Sequence, residues 1–188
     1  MPSRRNGPPN AIATGKSVFL RSPLQSDAKE FVTLNRASLR LHRGLVTPPL
    51  KEEQFDEFIE RCHRPDVESF FICRIEDSAI AGVITLSQIF RRAFQNAYLG
   101  YHIGEPFAGR GYMTEAIDLV LRHAFGTLKL HRLEANIQPG NVASISLVKR
   151  AGFVREGYSK KYLKIAGQWR DHERWAILVD YWRLRKRN

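Results

Sequence analysis

The spacing of apolar residues changes period several times along the chain, and each change predicts an element. Val18-Phe19-Leu20-Arg21 is a short apolar run that predicts a first strand. From Ser26 the spacing turns helical. Ser26 is placed to cap, Lys29-Glu30 fall in the first turn, and Phe31, Leu34 and Leu41 supply the apolar stripe. Thr47-Pro48-Pro49 interrupts the chain. Lys51 to His63 predicts a second helix with Phe55, Phe58, Ile59 and Cys62 on one face. The period then shortens. Ser69 to Ile75 and Ala79 to Phe90 read as strands joined by Glu76-Asp77-Ser78, and Asn96 to Ile103 as a third. Tyr112 to Phe125 is helical, with Met113, Ile117, Val120 and Ala124 inward and Glu115, Asp118 and Arg122 outward. His131 to Gln138 predicts a strand. Asn141 to Arg150 predicts a helix closed by Gly152, and Tyr158 to Ile165 and Trp169 to Val179 pair around Ala166-Gly167.

The resulting order, β-α-α-β-β-β-α-β-α-β-β, combines a strand meander with βαβ units. It predicts a mixed α/β fold, a mixed central sheet flanked by helices. With 188 residues and 43% hydrophobic content the chain can build one real core, so global disorder is excluded. No window approaches 18 consecutive apolar residues, so no membrane partner is expected. Residues 1–16 read as a loose basic tail, with no apolar run behind Met1 to Asn10 to make a secretory signal; residues 183–188 read as a second basic tail. Cys62 and Cys73 stand alone, without a CxxC pair or a histidine cluster. A disulfide framework and a metal site are therefore not expected, and a reducing cytoplasm fits. Thirty Lys and Arg against 19 Asp and Glu give a net charge of +11, which favours polyanionic company: a phosphate-rich cosubstrate, nucleic acid or a nucleic-acid-rich assembly.

The richest candidate site is the stretch from Gly104 to Ala116. A strand ends, Gly109-Arg110-Gly111 follow, and an amphipathic helix begins. The free N–H groups and positive dipole end of a helix start suit phosphate, and glycines let the backbone approach it. An ordinary strand-to-helix turn is the other reading. Gly15-Lys16-Ser17 resembles the end of a Walker A loop, but Asn10 stands where that motif needs glycine and a strand follows instead of a helix. Gly109-Arg110-Gly111 also lacks the third glycine of a dinucleotide fingerprint.

A second run changes the picture. His131-Arg132-Leu133-Glu134-Ala135-Asn136-Ile137 leads to Asn141, Ser144 and then Gly152-Phe153. This strand, helix-start Asn and distal Gly-Phe resemble the Gcn5-related N-acetyltransferase (GNAT) superfamily, over about residues 17–182. Tyr98-Leu99-Gly100-Tyr101-His102-Ile103-Gly104, the glycine loop, and Gly167-Gln168-Trp169-Arg170-Asp171-His172 are similar to its RimJ/RimL branch, which acetylates alanine N-termini of ribosomal proteins. The resemblance implies the GNAT acyl-CoA N-acyltransferase fold over 17–182 and acetyl-CoA as cosubstrate. It implies a site of Ile103, Gly109, Arg110, Gly111, Tyr112, Met113, Thr114, Asn141 and Ser144. A protein N-terminus is the implied acceptor, with a possible ribosome or RNA association through basic surface that includes Arg4-Arg5 and Arg183 to Arg187. A small amine, such as a polyamine, amino sugar or antibiotic, is the rival acceptor. A nucleic-acid-binding protein with a vestigial acyl-CoA fold is a third reading.

The chain departs from the family pattern in instructive places. The loop usually begins with Gln or Arg and ends with Gly or Ala; here Ala108 and Met113 stand there. Val148 occupies the usual position of a tyrosine acid, and Asn136 aligns with a glutamate base of some protein-alanine acetyltransferases. An α-amino group, with a pKa near ~8, must lose a proton before it attacks, whereas a thiol with a pKa of roughly 8.5 leaves with modest help. Ser144 is the candidate to meet the thiol, or else a plain helix-surface serine. Glu115 either relays a proton or favours its helix start electrostatically. N–H donors near Tyr101 to Ile103 are expected to face the thioester oxygen. Tyr98 and His102 share a strand face by alternation, as pocket or as packing.

Overall fold

The computed structural model describes residues 10–185. One sheet carries β1 (Ala13–Thr14), β2 (Val18–Arg21), β3 (Glu68–Arg74), β4 (Ile80–Phe90), β5 (Asn96–Ile103), β6 (Arg132–Ile137), β7 (Val154–Ile165) and β8 (Gln168–Leu178) in the spatial order β1-β2-β3-β4-β5-β6-β8-β7. The helices are α1 (Ala28–Ala37), α2 (Leu39–His42), α3 (Glu52–Cys62), α4 (Tyr112–Gly126), α5 (Val142–Ala151) and α6 (Val179–Arg185). β5 and β6 run parallel and the other neighbours antiparallel, because α4 carries the chain across the sheet between those two strands. The mixed α/β expectation holds.

The sheet separates two apolar layers. On one face Phe31 of α1 and Phe55 and Phe58 of α3 pack on Phe71 of β3, with Phe31 and Phe71 centroids 4.6 Å apart. On the other, Ile117, Val120 and Ala124 of α4 and Val148 of α5 cover Leu133, Ala135 and Ile137 of β6. Each such fully buried large side chain contributes on the order of 2 kcal/mol. The inward set of α4 is therefore as the spacing implies, with Met113 half-buried at its start.

Several expectations need correction. Ser26 does not cap α1. Asp27 does the local work: its carboxylate accepts the Leu24 N–H at 2.7 Å and both guanidinium nitrogens of Arg21 at 2.7 and 2.8 Å, closing a 3-10 turn over Gln25–Asp27 before α1 starts at Ala28. Leu41 is not on the α1 stripe, because the helix stops at Ala37 and restarts as α2, where Leu41 is exposed. The loose tail over 1–16 does not reach residues 10–16: Ala13 and Thr14 pair with Leu20 and Phe19. The basic C-terminal tail likewise gives up residues 183–185, which end α6; Arg185 donates to the Arg150 carbonyl at 2.6 Å. Residues 1–9 and 186–188, with Arg4-Arg5 and Lys186-Arg187, lie outside the described residues.

Candidate active site

The register of β5 against β6 sets the site. The two strands pair only at Asn96↔Arg132, Ala97↔Leu133 and Tyr98↔Glu134. Beyond Tyr98 they diverge, so Leu99–Ile103 and Ala135–Ile137 leave a wedge in the sheet. A cavity of about 470 Å³ opens there, walled by the end of β5, the loop into α4, the first turns of α5, and α2 with the loop after it.

The loop wall presents an open helix start. Gly109 and Gly111 take left-handed φ values of +73° and +81°, and a Cβ on either would meet nothing within 4 Å, so the space beside them is open. The first helical bond of α4 runs from the Glu115 N–H to Gly111, and no side chain caps this end. The N–H groups of Tyr112, Met113 and Thr114 are thus available at the positive end of the helix. Arg110 is exposed beside them and does not itself line the cavity. Met113 is half-buried, packs against the core and also lines the cavity.

On α5, Asn141 caps the helix through its Oδ1, which accepts the Ser144 N–H at 3.2 Å. Val148, in the family's tyrosine position, is fully buried in the core. A phenol nevertheless reaches the cavity, from a different element. Tyr101 of β5 places its hydroxyl 2.5 Å from Ser144 Oγ, and burial pushes its pKa up to about 12. Strand alternation could have indicated this residue, since Tyr101 and Ile103 point to the face opposite Tyr98 and His102; the identity of its partner was not readable from spacing.

The opposite wall carries a histidine pair. His102 stacks against Phe31 and meets His42 edge-on, with ring centroids 4.9 Å apart; burial and the neighbouring His42 push its pKa down to about 3. His42 Nε2 lies 2.8 Å from the Ile103 carbonyl oxygen, and its Nδ1 is buried without a partner among the described residues. Leu41, Leu45 and Val46 complete this wall, and no carboxylate lines the cavity among the described residues. His42 had no sequence signal beyond its residue type.

Two expected residues stand elsewhere. Glu115 faces the β1–β2 turn, where its carboxylate accepts the N–H groups of Lys16 and of Ser17, the latter at 3.0 Å, and it does not line the cavity. It therefore fastens a hairpin and is not positioned as a relay. Asn136 projects from the face of β6 opposite the Leu133, Ala135 and Ile137 core and also does not line the cavity; its Oδ1 is buried without a partner among the described residues. Ile103, Gly109, Gly111, Tyr112, Met113, Thr114, Asn141 and Ser144 do line it together.

A family model described as "Acetyltransferase (GNAT) domain" matches residues 17–154. The chain is a GNAT acetyltransferase. As such it is an N-acetyltransferase that uses acetyl-CoA. The Bacillus subtilis (strain 168) protein named probable N-acetyltransferase YjcK is 35% identical over 172 residues, covering 87% of this chain and 95% of its own. The ribosomal protein uS5-alanine N-acetyltransferase of Escherichia coli (strain K12) is 42% identical over 107 residues, 57% of this chain and 55% of its own. The spermidine N(1)-acetyltransferase of Vibrio cholerae is 26% identical over 129 residues, 67% of this chain and 74% of its own. Among solved structures, Mycobacterium smegmatis RimJ in complex with CoA-disulfide superposes with a TM-score of 0.80 at 25% identity, over 87% of this GNAT chain and 82% of that one.

Proposed function

We propose that this acetyltransferase acts on the α-amino group of a protein chain whose first residue is small, most specifically the N-terminal alanine of a ribosomal protein. The observation that carries this is the acceptor wall. Leu41, Leu45, Val46, His42 and His102 offer apolar surface and imidazole rings, and the described lining holds no carboxylate. A polyamine carries several ammonium groups and needs anionic partners in a partly dry pocket. An N-terminus carries one charge, which it must lose in any case. The kinship with the uS5-alanine enzyme and with RimJ supports the same reading. The spermidine acetyltransferase relative is the one observation favouring a small amine.

Acetyl-CoA brings an activated acetyl thioester. Gly109, Arg110, Gly111 and the N–H groups of Tyr112 to Thr114 are assigned to its pyrophosphate, and Ile103, Asn141 and Ser144 to the reactive arm that the strand wedge admits. Tyr101 keeps its proton throughout the working range, so its hydroxyl, linked to Ser144 Oγ, is suited to hand a proton toward the departing sulfur. The phenol that α5 lacks at Val148 is thus supplied from β5. The deciding experiment compares acetylation rates on peptides differing only in the first residue, alongside spermidine and an aminoglycoside. Alanine and serine are expected to lead lysine and leucine. Turnover of the small amines with no peptide acetylated removes the ribosomal reading.

A further inference from the structure

The described titratable side chains lining the cavity are His42, Tyr101, His102, Tyr112 and Arg150. A guanidinium and a phenol, as classes, hold their protons near neutral pH and offer no base. Tyr101 sits higher than an ordinary phenol, and His102 is too weak a base, being wedged between Phe31 and His42 with Nε2 3.3 Å from Asn35 Oδ1. His42 remains. Its Nε2 faces the Ile103 carbonyl at 2.8 Å, and a carbonyl oxygen can only accept, so Nε2 carries the hydrogen. The lone pair of the neutral ring then belongs to Nδ1. That atom has no partner among the described residues, in a residue only 4% exposed. A buried unpartnered nitrogen costs about 1–3 kcal/mol and calls for a use.

We infer that His42 is the general base of this enzyme, taking a proton from the acceptor ammonium at Nδ1 while the Ile103 carbonyl fixes its tautomer. This rests on the reading of the α2 wall as the acceptor side. The protons balance. The ammonium gives one to Nδ1, which later releases it to solvent. The nitrogen forms its bond to the acetyl carbon as the carbon–sulfur bond breaks; the second proton it loses matches the one the sulfur gains. Around the ring, His102 from β5 meets it edge-on with centroids 4.9 Å apart, and Arg150 lies on the α5 wall of the same cavity. Tyr101 remains a neutral phenol.

The test uses the full chain and whichever amine the wild-type protein acetylates fastest, so that a preference for small amines defeats the substrate reading and still leaves the base assignment measurable. His42→Ala is expected to lower kcat by about 100-fold with little change in acetyl-CoA affinity, and added imidazole to restore part of it. His42→Gln can still donate to Ile103 but has no basic nitrogen, so it should be equally slow. Turnover of His42→Gln within about twofold of wild type overturns the assignment. So does long-range proton–nitrogen NMR that finds the proton of neutral His42 on Nδ1 in the wild-type protein, a readout independent of activity.

Discussion

At the scale of single residues, the proposed leaving-group chemistry rests on one hydrogen bond, between the hydroxyls of Tyr101 and Ser144. Ser144→Ala and Tyr101→Phe should each lower kcat by about 10- to 100-fold while leaving acetyl-CoA affinity nearly unchanged. Because the two act through one contact, the double variant should be about as slow as the slower single one. Steady-state kinetics at saturating substrate, with calorimetry for affinity, checks both points; multiplicative losses would separate the roles. His102 makes a different prediction. Its folded pKa, about 3, lies below the ordinary histidine value near ~6.5, so between those limits the unfolded chain binds more protons. Its stabilising contribution is present above about pH 6.5 and is lost as pH falls toward 3, with a slope of at most about 1.4 kcal/mol per unit from this ring. Denaturant titrations across that window should show a shallower acid loss in His102→Gln than in wild type.

At the scale of elements, the start of α4 joins two functions that the sequence does not separate. Its N–H groups open toward the cavity, while Glu115 in its first turn holds the β1–β2 turn. Glu115→Ala should lower stability by about 1 kcal/mol in thermal unfolding and leave kcat unchanged. A large fall in kcat with unchanged stability would return Glu115 to the mechanism. Gly111→Val forces a β-branched residue to φ +81°, at a cost of about 1–3 kcal/mol, and puts a side chain into the open loop. Acetyl-CoA affinity should drop strongly in the folded variant; unchanged calorimetric binding would place the pyrophosphate elsewhere. Long periodic elements such as α3, α4 and the β3–β4–β5 meander were legible because their apolar spacing is itself the burial pattern. β1 was not, since two residues carry no period; nor was the cap at Asp27, which depends on Arg21 arriving from β2.

At the scale of the whole molecule, a net charge of +11 can attract polyanions at long range but specifies no acceptor atom. If the acceptor is presented on a ribosomal particle, its acetylation should slow as ionic strength rises past 0.15 M, where exposed charges are screened over about 8 Å. A short peptide with the same first residue should respond far less. Parallel rate measurements on the two acceptors over a salt series decide this; equal salt dependence would leave the basic surface with no part in substrate delivery.

The sequence by itself determined the order of the main elements, the glycine-bearing helix start, the Asn141 cap and the family, because each is written in local spacing or in backbone freedom at one residue. Only the tertiary structure decided which side chains share the cavity. Divergence of β5 from β6 after Tyr98 opens it, and that depends on pairing across the α4 crossover. Tyr101 meets Ser144 over a separation of 43 residues, and His42 meets Ile103 over 61. Contacts of that range leave no periodic trace in the chain, because what fixes them is the packing of helices on both faces of a finished sheet.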